Sequence, residues 1–363
     1  MKVAIVHDWM TTLGGGEKVV LTLAQALGAE IVTSELDPDV PRKAGFEGVR
    51  VRPIAALPRN QPWRTIAATR AFSRLELHGV DIVVLSGNWV VHAAPRNRPN
   101  LYYCHTPTRV FYDLRESWLR SLPAGHRPFA RAWSRVHRWW NERTLPSIDR
   151  IVANSRNVQG RIRRYWRRES AVVNPPVPVD RYRFESVGDV WLDVSRLSHE
   201  KGLDLAVETF RRLPRERLVI VGGTPRGTDR DAFIRRLDPP SNVEFRDTIP
   251  EPELATLYAT CRGVVSTSVD EDFGMTAVEA NASGKVVVAA DGGGYRETQA
   301  EGVTGFLLPP TPAAFAERIA SLTTADLESR AGRCRANAHR FDASVFVERM
   351  RAEIAAVGGG AGP

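Results

Sequence analysis

The sequence predicts an α/β protein made of two doubly wound parallel sheets. Short β-branched runs alternate with helical stretches, which is the pattern of a parallel sheet covered by helices. A proline-rich break at residues 174–178 interrupts the alternation, and the same rhythm restarts after it. The chain has 363 residues, more than one hydrophobic core usually holds. We therefore expect two similar Rossmann-like domains with a boundary near Pro175–Gly188, and two sheets that face each other across a cleft.

The predicted elements follow this alternation along the chain. In the first half we expect strands at Lys2–His7, Glu30–Thr33, Asp81–Ser86, Leu101–Cys104, Arg150–Ala153 and Ala171–Val173, and helices at Glu17–Leu27, Ile66–Leu77 and Asn157–Trp166. In the second half we expect strands at Val190–Ser195, Leu218–Val221, Val243–Arg246, Val264–Ser266 and Val286–Ala289, and helices at Leu203–Leu213, Pro252–Thr260 and Met275–Ala282. The predicted domains are residues 1–175 and 176–340, followed by a helix at 341–357 that could return to the N-terminal domain and a disordered tail at 358–363.

Composition narrows the class of protein. No apolar run approaches the roughly 18 residues that span a membrane, and the apolar start of the chain is too short for a signal peptide. Three widely separated cysteines indicate neither a disulfide framework nor a zinc site, so we expect a cytoplasmic protein. The net charge of +8 predicts anionic partners. Nucleic acid is not expected among them, because no nucleic-acid-binding module is recognisable.

The segment from Glu271 to Glu279 is the most informative. Gly274 stands between a predicted strand and a predicted helix. The start of a helix exposes free backbone N–H groups and the positive end of its dipole, which can hold a diphosphate or a sugar oxygen. Glu279 lies about one turn into the helix, where its carboxylate could accept hydrogen bonds from ribose hydroxyls. The alternative is a pair of solvated glutamates at a helix start.

Two cations follow the first strand of the second half. Arg196 and Lys201 suit a pyrophosphate and the negative charge that develops on it, although they could also be ordinary surface cations. The Gly222-Gly223 turn ends the next strand and allows close approach of the backbone. A further glycine turn lies at residues 291–297.

Two features of the first half lie at predicted strand ends. The glycine loop at residues 14–16 separates a strand from a helix and could hold an anion. It is not the dinucleotide fingerprint, because Val19 stands where a third small residue would be needed. His105 follows a strand in a polar cluster, which is where this architecture places chemistry. A structural histidine and a simple chain reversal are the alternatives.

The triplets at residues 37–39 and 270–272 have the Asp-x-Asp form that binds a divalent metal in some enzymes. Such short patterns are common by chance, so we expect no metal site. The segment Arg127–Asn141 predicts an amphipathic helix. Its two stripes are Arg127, Arg131, Arg135 and Arg138 on one side and Phe129, Trp133, Val136 and Trp140 on the other.

This combination of arginines and aromatic residues suits an anionic membrane surface. A second basic stretch, from Arg156 to Arg168, contributes six arginines. The alternative is that the aromatic stripe packs on the protein's own domain while the arginines face water.

Taken together, the segments resemble glycosyltransferase family 4, the retaining group with GT-B architecture. The resemblance extends over nearly the whole chain. The segments that carry it are the glycine loop at 14–17, the interdomain segment at 174–177, the basic segment at 196–202, the Glu-x7-Glu segment at 271–279 and the glycine turn at 293–297. Their order and spacing agree with the family.

The resemblance implies a role for each site residue. Arg196 and Lys201 would hold the donor diphosphate and stabilise it as it leaves, Glu279 would bind the ribose, and Glu271 would hold the donor sugar. His105 would lie by the reacting end of that sugar. The remaining donor contacts would come from Gly15, Gly16, Gly222, Ile249, Phe273, Gly274, Met275 and Thr276.

The resemblance also implies a substrate. Many members of the family have Gly where this chain has Asp272, and Glu271-Asp272-Phe273-Gly274 with His105-Thr106-Pro107 is similar to the bacterial mannosyltransferases that build surface polysaccharides. GDP-mannose is then the expected donor, a glycan or lipid-linked saccharide the acceptor, and no cofactor is needed. A UDP-sugar donor with a soluble or natural-product acceptor, and a non-catalytic nucleotide-sugar-binding subunit, are the alternatives.

Overall fold

The computed structural model describes residues 1–58, 60–225 and 228–359. The chain divides into two compact units. The first runs from Met1 to Pro176 and resumes at Phe346, and the second runs from Val177 to Val345. Each unit is a parallel α/β sheet, as the alternation of elements predicts. None of the described helices is both long and apolar enough to cross a bilayer.

The first unit contains a seven-stranded parallel sheet in the order β3-β2-β1-β4-β5-β6-β7. Its strands are β1 (Val3–His7), β2 (Glu30–Thr33), β3 (Val51–Pro53), β4 (Ile82–Ser86), β5 (Asn100–Cys104), β6 (Arg150–Ala153) and β7 (Ala171–Val172). Its helices are α1 (Gly15–Leu27), α2 (Asp39–Lys43), α3 (Trp63–Arg74), α4 (Arg115–Ser121), α5 (Arg127–Thr144) and α6 (Arg156–Trp166).

The second unit contains a six-stranded parallel sheet in the order β10-β9-β8-β11-β12-β13. Its strands are β8 (Val190–Val194), β9 (Arg217–Val221), β10 (Val243–Arg246), β11 (Gly263–Ser266), β12 (Val287–Ala290) and β13 (Gly305–Leu308). Its helices are α7 (Leu203–Arg211), α8 (Arg230–Leu237), α9 (Glu251–Thr260), α10 (Met275–Ala282), α11 (Tyr295–Thr298), α12 (Pro312–Ser321) and α13 (Thr324–Ala338).

Both sheets are covered by helices on their two faces. Successive side chains of a strand point to opposite faces, so Ile5 and Val6 of β1 belong to separate cores. The face of Ile5 packs against α1, and the face of Val6 packs against α3 and α6. In the second unit, Ile220 and Val221 of β9 likewise belong to two separate cores, one on each face of the sheet. Burial on both faces explains the near-continuous apolar strands.

The final helix, α14 (Ala343–Gly358), completes the first unit. Phe346, Met350 and Ile354 are buried in the core that also contains Ile5. The Phe346 ring contacts the edge of the Tyr103 ring at 5.8 Å between centroids. The predicted disordered tail lies largely outside the described residues, which end at 359, and Gly358 is still helical.

The structure differs from the predicted elements in several places. The helix predicted over Ile66–Leu77 begins at Trp63 and ends at Arg74, where Leu75 takes an extended conformation. The helix predicted over Asn157–Trp166 begins one residue earlier, at Arg156, and ends at Trp166 as predicted, where Arg167 adopts a left-handed conformation with φ 52°. Edge strands β3 and β13 were not predicted. They are three and four residues long, too short for a clear period-2 pattern.

The helix predicted at Arg127–Asn141 is present as α5, but neither of its two predicted stripes forms the buried face. Its buried face consists of small or polar side chains, namely Ala130, Ser134, His137, Asn141 and Thr144. Trp133 and Trp140 flank this face, whereas Phe129 and Val136 from the predicted apolar stripe are 61% and 56% exposed. Small side chains let the helix approach closely, and the buried Asn141 has a partner in His92, with Oδ1 and Nε2 separated by 2.7 Å.

Candidate functional site

The second unit contains a topological switch point between β8 and β11. The chain moves from β8 through β9 to β10 in one direction and from β11 through β12 to β13 in the other. In open α/β sheets, ligands bind beyond the carboxyl ends of the strands at such a point. Arg196 and Lys201 follow β8, and Glu271 through Glu279 follow β11. The structure therefore brings the two most informative segments of the sequence to the same place.

An ion pair joins these two segments. The Nζ of Lys201 lies 2.7 Å from Oε2 of Glu271, and both side chains are less than one-fifth exposed. Hydroxyls tie the backbones together, since Thr267 Oγ1 donates to the carbonyl of Lys201 at 3.0 Å. Burial acts to raise the pKa of Glu271, but the charge and hydrogen bond of Lys201 outweigh it and lower that pKa. Glu271 is therefore an ionised hydrogen-bond acceptor whose side chain is held in place by Lys201.

Arg196 occupies a more open position than Lys201. Its guanidinium is 68% exposed, and Nη2 lies 3.8 Å from Oε1 of Glu200. The exposed pair is weak, so the guanidinium is available to an anion. Its charge also helps to lower the pKa of Glu271, which places both cations on the same side of the switch point.

The turn before α10 depends on Gly274. This residue has φ +93°, and a Cβ there would lie 2.9 Å from the Tyr295 ring. The conformation lets the chain turn from buried Phe273 directly into α10, whose first residues are Met275 and Thr276. The first amides of a helix have no partner within the helix. The turn thus directs N–H groups and the positive helix end toward the carboxyl edge of the sheet.

Glu279 lies one turn further along α10 and is only 5% exposed. The hydroxyl of Tyr258 donates to its Oε2 at 3.1 Å. This contact fixes the carboxylate without neutralising it, since a tyrosine hydroxyl carries no charge. The structure thus holds Glu279 as a buried acceptor, not as the solvated glutamate of the alternative interpretation.

Glycines in the neighbouring loops allow these loops to pack closely against the segments that carry Arg196 and Glu271. A Cβ on Gly222 would lie 1.9 Å from the carbonyl oxygen of Ser195, so the loop after β9 touches the loop after β8. A Cβ on Gly293 would lie 2.3 Å from the carbonyl oxygen of Glu271. Ile249 is half-buried beyond β10 and packs against the core beneath α9 and α10.

Asp193 was missed by sequence reasoning. It is 3% exposed near the end of β8, and burial raises the pKa of its carboxyl to about 7, with Lys201 acting in the opposite direction. The available signal was an acid inside an otherwise apolar strand. An aspartate in a protein core is almost never fully buried unless it is paired with another group.

The first unit has its own switch point, between β1 and β4. His105 follows β5, and its Nε2 lies 2.8 Å from Oγ of Ser86 at the end of β4. Burial, together with the nearby charge of His7, lowers the pKa of His105 to about 4. His105 is therefore neutral near pH 7.

The glycine loop approaches His105 directly. A Cβ on Gly16 would lie 3.6 Å from Nε2 of His105, whereas Gly15 is exposed at the first position of α1. Glu17 lies next to the loop, and its Oε1 is 3.7 Å from Nε2 of His7. Burial lowers the pKa of His7, but Glu17 outweighs it and the net pKa is raised. His7, Glu17 and Ser86 were not predicted from the sequence.

The acid after β1 organises the turn after β4. Asp8 is 6% exposed, and its carboxylate accepts the backbone amides of Asn88, Trp89 and Val90 at 2.5, 2.8 and 3.0 Å. A Cβ on Gly87, which has φ +134°, would lie 2.5 Å from the carboxyl carbon of Asp8. Among residues 1–58, 60–225 and 228–359, no three metal-ligating side chains come together.

Two family models match consecutive parts of the chain. The model described as Glycosyltransferase Family 4 matches residues 13–181, and the model described as Glycosyl transferases group 1 matches residues 183–341. The chain belongs to glycosyltransferase family 4. The switch point of the second unit of this family 4 protein lies within the second matched segment, whereas β1 (Val3–His7) precedes the first.

Individual relatives of this chain are also glycosyltransferases, and they match different shares of its length. The D-inositol 3-phosphate glycosyltransferase of Frankia alni is 37% identical over 147 residues, which is 36% of this chain and 36% of that protein's length. The human alpha-1,3/1,6-mannosyltransferase ALG2 is 25% identical over 399 residues, covering 93% of this chain and 92% of its own. The chain thus spans about a third of one relative and nearly all of the other.

A solved structure has the same fold. Anabaena HepE, crystallised with UDP and glucose, superimposes with a TM-score of 0.77 at 20% identity, and the match covers 98% of this chain and 99% of that one. Together with the two parallel sheets, this confirms the predicted α/β class and assigns this family 4 protein to the GT-B fold.

Proposed function

We propose that this protein is a retaining glycosyltransferase that moves mannose from GDP-mannose to a hydroxyl of a lipid-linked saccharide or another glycan. The Lys201–Glu271 pair, placed beside the first turn of α10 at a switch point, is the observation that carries the proposal. It combines a cation for a phosphate with an ionised acceptor for sugar hydroxyls. The mannosyltransferase name of the human relative supports the choice of sugar.

The donor would bind along the carboxyl edge of the second unit. Its diphosphate would meet Arg196, Lys201 and the first amides of α10, because cations and helix N-termini both stabilise phosphate. Its ribose hydroxyls would donate to Glu279. The base would rest near Gly222 and Ile249, where the loops after β9 and β10 come together.

Charge development explains why these groups would accelerate transfer. As the bond from the anomeric carbon to phosphate breaks, negative charge grows on the diphosphate and positive charge on the sugar ring. Arg196 and Lys201 stabilise the departing diphosphate more than the intact donor, which lowers the barrier. The acceptor hydroxyl attacks from the face that the diphosphate leaves, and the leaving phosphate oxygen takes its proton. The anomeric configuration is thereby retained, and two protein cations do the electrostatic work of a metal.

His105 would act in its neutral form at the carboxyl edge of the first unit. With a pKa near 4, its imidazole can hydrogen-bond to a sugar hydroxyl without carrying a positive charge near pH 7. Gly15 and Gly16 leave the backbone of α1 open beside it. This edge is also our proposed place for the acceptor.

Thermal unfolding with excess nucleotide tests the donor proposal. A ligand at about one hundred times its dissociation constant stabilises the native state by roughly 2.7 kcal/mol. We expect GDP and GDP-mannose to raise the unfolding midpoint, and Glu279→Gln to remove most of that shift while still accepting from Tyr258. The matched control is Glu253→Gln, an exposed position on α9 in the same unit.

The remaining outcomes of this experiment separate the alternatives. A shift with UDP or UDP-glucose alone would reject mannose as the sugar and keep the transferase. No shift with any nucleotide would reject the donor site itself. Transfer that continues in the presence of EDTA, with a product of unchanged anomeric configuration by NMR, is expected for a retaining reaction without a metal.

We also propose that α5 contacts the inner surface of the membrane. Phe129, Val136 and Trp139 are 61%, 56% and 56% exposed on this helix. Arg131, Arg135 and Arg143 are exposed on the same helix. Exposed apolar side chains flanked by arginines suit the interface of an anionic bilayer.

Flotation with vesicles tests this contact. We expect binding to vesicles that contain phosphatidylglycerol and weaker binding to phosphatidylcholine alone. The double variant Phe129→Ser and Trp139→Ser should lose binding, while Trp63→Ser, which removes another exposed aromatic side chain, should retain it. Equal flotation of both variants would reject α5 as the membrane contact.

A further inference from the structure

A cavity lies in the first unit, between the C-terminal halves of α5 and α6. Its volume is about 690 Å3, within the range of small-molecule sites. Leu145 and Arg168 form part of its wall and precede β6 and β7 in the chain. That part of the wall therefore lies at the amino ends of the strands, at the opposite edge of the sheet from His105.

Stacked side chains give one wall a fixed shape. The rings of Tyr112 and Tyr165 are parallel within 7° with centroids 4.4 Å apart. The guanidinium of Arg138 lies 4.7 Å from the Tyr112 centroid, and that of Arg164 lies 5.6 Å from the Tyr165 centroid. The indole N–H of Trp166 donates to the Tyr112 hydroxyl at 2.9 Å. Such contacts hold aromatic and cationic groups in place before a ligand arrives.

The lining carries more positive than negative charge. It contains four arginines and two carboxylates. Both carboxylates are engaged, Asp113 with Arg109 at 2.5 Å and Glu142 with Arg138 at 2.8 Å.

The other three lining arginines differ from Arg138 in their partners. Arg168 donates to the backbone carbonyls of Leu145 and Ile148 at 2.6 and 2.8 Å. Arg164 and Arg167 have no carboxylate within 4.0 Å in the described part of the chain. Two guanidinium groups at the cavity thus remain uncompensated, which favours an anionic ligand.

The backbone at Arg167 is an unusual place for an arginine. Arg167 caps the end of α6 with φ 52°, a left-handed conformation that is unfavourable for a non-glycine residue. Glycine is the usual residue at such a cap. The conformation costs stability, yet it brings a cation to the rim of the cavity.

We propose that this cavity binds a phosphate ester, with its phosphate on Arg164 and Arg167 and its organic part against Tyr165 and Trp166. Guanidinium groups pair with phosphate through parallel hydrogen bonds. A phosphate ester carries up to two negative charges near pH 7, which matches the two uncompensated arginines. The volume exceeds that of phosphate alone, so a sugar or glycerol fits beside it. The proposal is independent of the donor site and of transfer.

Calorimetric titration with glycerol 3-phosphate tests the soluble form of this chemistry. GDP is present throughout, so that phosphate binding at Arg196 and Lys201 does not contribute. We expect saturable binding to the full chain that weakens at least tenfold in Arg164→Gln with Arg167→Gly. The glycine change removes the cation and also suits the left-handed cap, so unfolding is not the expected reason for a loss. Arg70→Gln removes one exposed charge from α3, outside the cavity, and should bind like the wild type.

Vesicles distinguish the two sources of the phosphate. Phosphatidylcholine vesicles with and without phosphatidic acid are compared for the same variants. Saturable binding of glycerol 3-phosphate assigns the cavity to soluble esters. Binding only to the phosphatidic acid vesicles, reduced in the double variant but not in Arg70→Gln, assigns it to a lipid headgroup. If the double variant and Arg70→Gln behave alike toward both probes, or neither probe binds the wild type, the proposal is overturned.

Discussion

Asp193 is a buried acid in β8 that lies close to the Lys201–Glu271 pair. Burial raises the pKa of its carboxyl from 3.8 to about 7, so the folded protein holds a proton there that the unfolded chain releases. Between these pH values the folded state binds more protons than the unfolded state. The contribution of Asp193 to stability therefore falls as the pH rises through this window.

Asp193→Asn should reverse that loss, because asparagine cannot ionise. The difference in free energy of unfolding between variant and wild type should increase in favour of the variant as the pH rises from about 4 to about 7, and stay constant above. Urea denaturation below, within and above this window measures it. Asp204→Asn changes an exposed acid of the same unit and should show no such trend. A difference for Asp193→Asn that does not depend on pH would contradict the assignment.

At the scale of elements, α1 is connected to β1 through Glu17 and His7. Burial acts to lower the pKa of His7, and Glu17 raises it overall. Burial acts to raise the pKa of Glu17, and His7 lowers it overall. The stabilisation from His7 is present below 6.5 and lost as the pH rises through its folded pKa, while that from Glu17 is lost as the pH falls below 4.5.

Glu17→Gln should therefore lower the pKa of His7, because burial lowers that pKa and the charge of Glu17 no longer raises it. Imidazole titration by NMR measures this shift. We also expect a loss of roughly 3 kcal/mol in the free energy of unfolding, as for removal of one partner of a buried ion pair, at pH values between the pKa of Glu17 and that of His7. Glu30→Gln breaks an exposed pair with Arg52 and serves as the control. An unchanged pKa of His7 would show that the two groups are not coupled.

The elements also show what the sequence could predict. Buried strands such as Glu30–Thr33 and Arg150–Ala153 agree with their predicted bounds, because burial on both faces requires a continuous apolar run. The face that α5 buries was not predictable, since hydrophobicity points to Phe129 whereas close packing selects Ala130 and Ser134. The Lys201–Glu271 contact joins residues 70 positions apart, and no local pattern contains it. Only the order of strands brings them together.

At the scale of the whole molecule, the chain leaves the first unit and returns to it. Residues from Phe346 onward belong to the same unit as Met1. Phe346, Met350 and Ile354 are nearly fully buried there, and each contributes about 2 kcal/mol by its burial. The stability of the first unit therefore depends on the last helix, whereas the second unit is continuous in sequence.

A chain that ends at Val345 should lose the cooperative unfolding of the first unit and keep that of the second. Scanning calorimetry with limited proteolysis measures both, because a destabilised unit is cut faster. A chain that ends at Gly359 retains α14 and is the control. Protection of the first unit in the shorter chain would contradict this dependence.

The late position of α14 also has a consequence for synthesis on the ribosome. All of residues 177–345 leave the exit tunnel before Phe346 does. The second unit can therefore fold and bury its cores while the first unit still lacks helix α14. Domains generally fold as units during translation, often starting from the N-terminus. In this chain the unit that begins first is the last to be finished. Until then, the apolar surface that α14 covers remains open to chaperones.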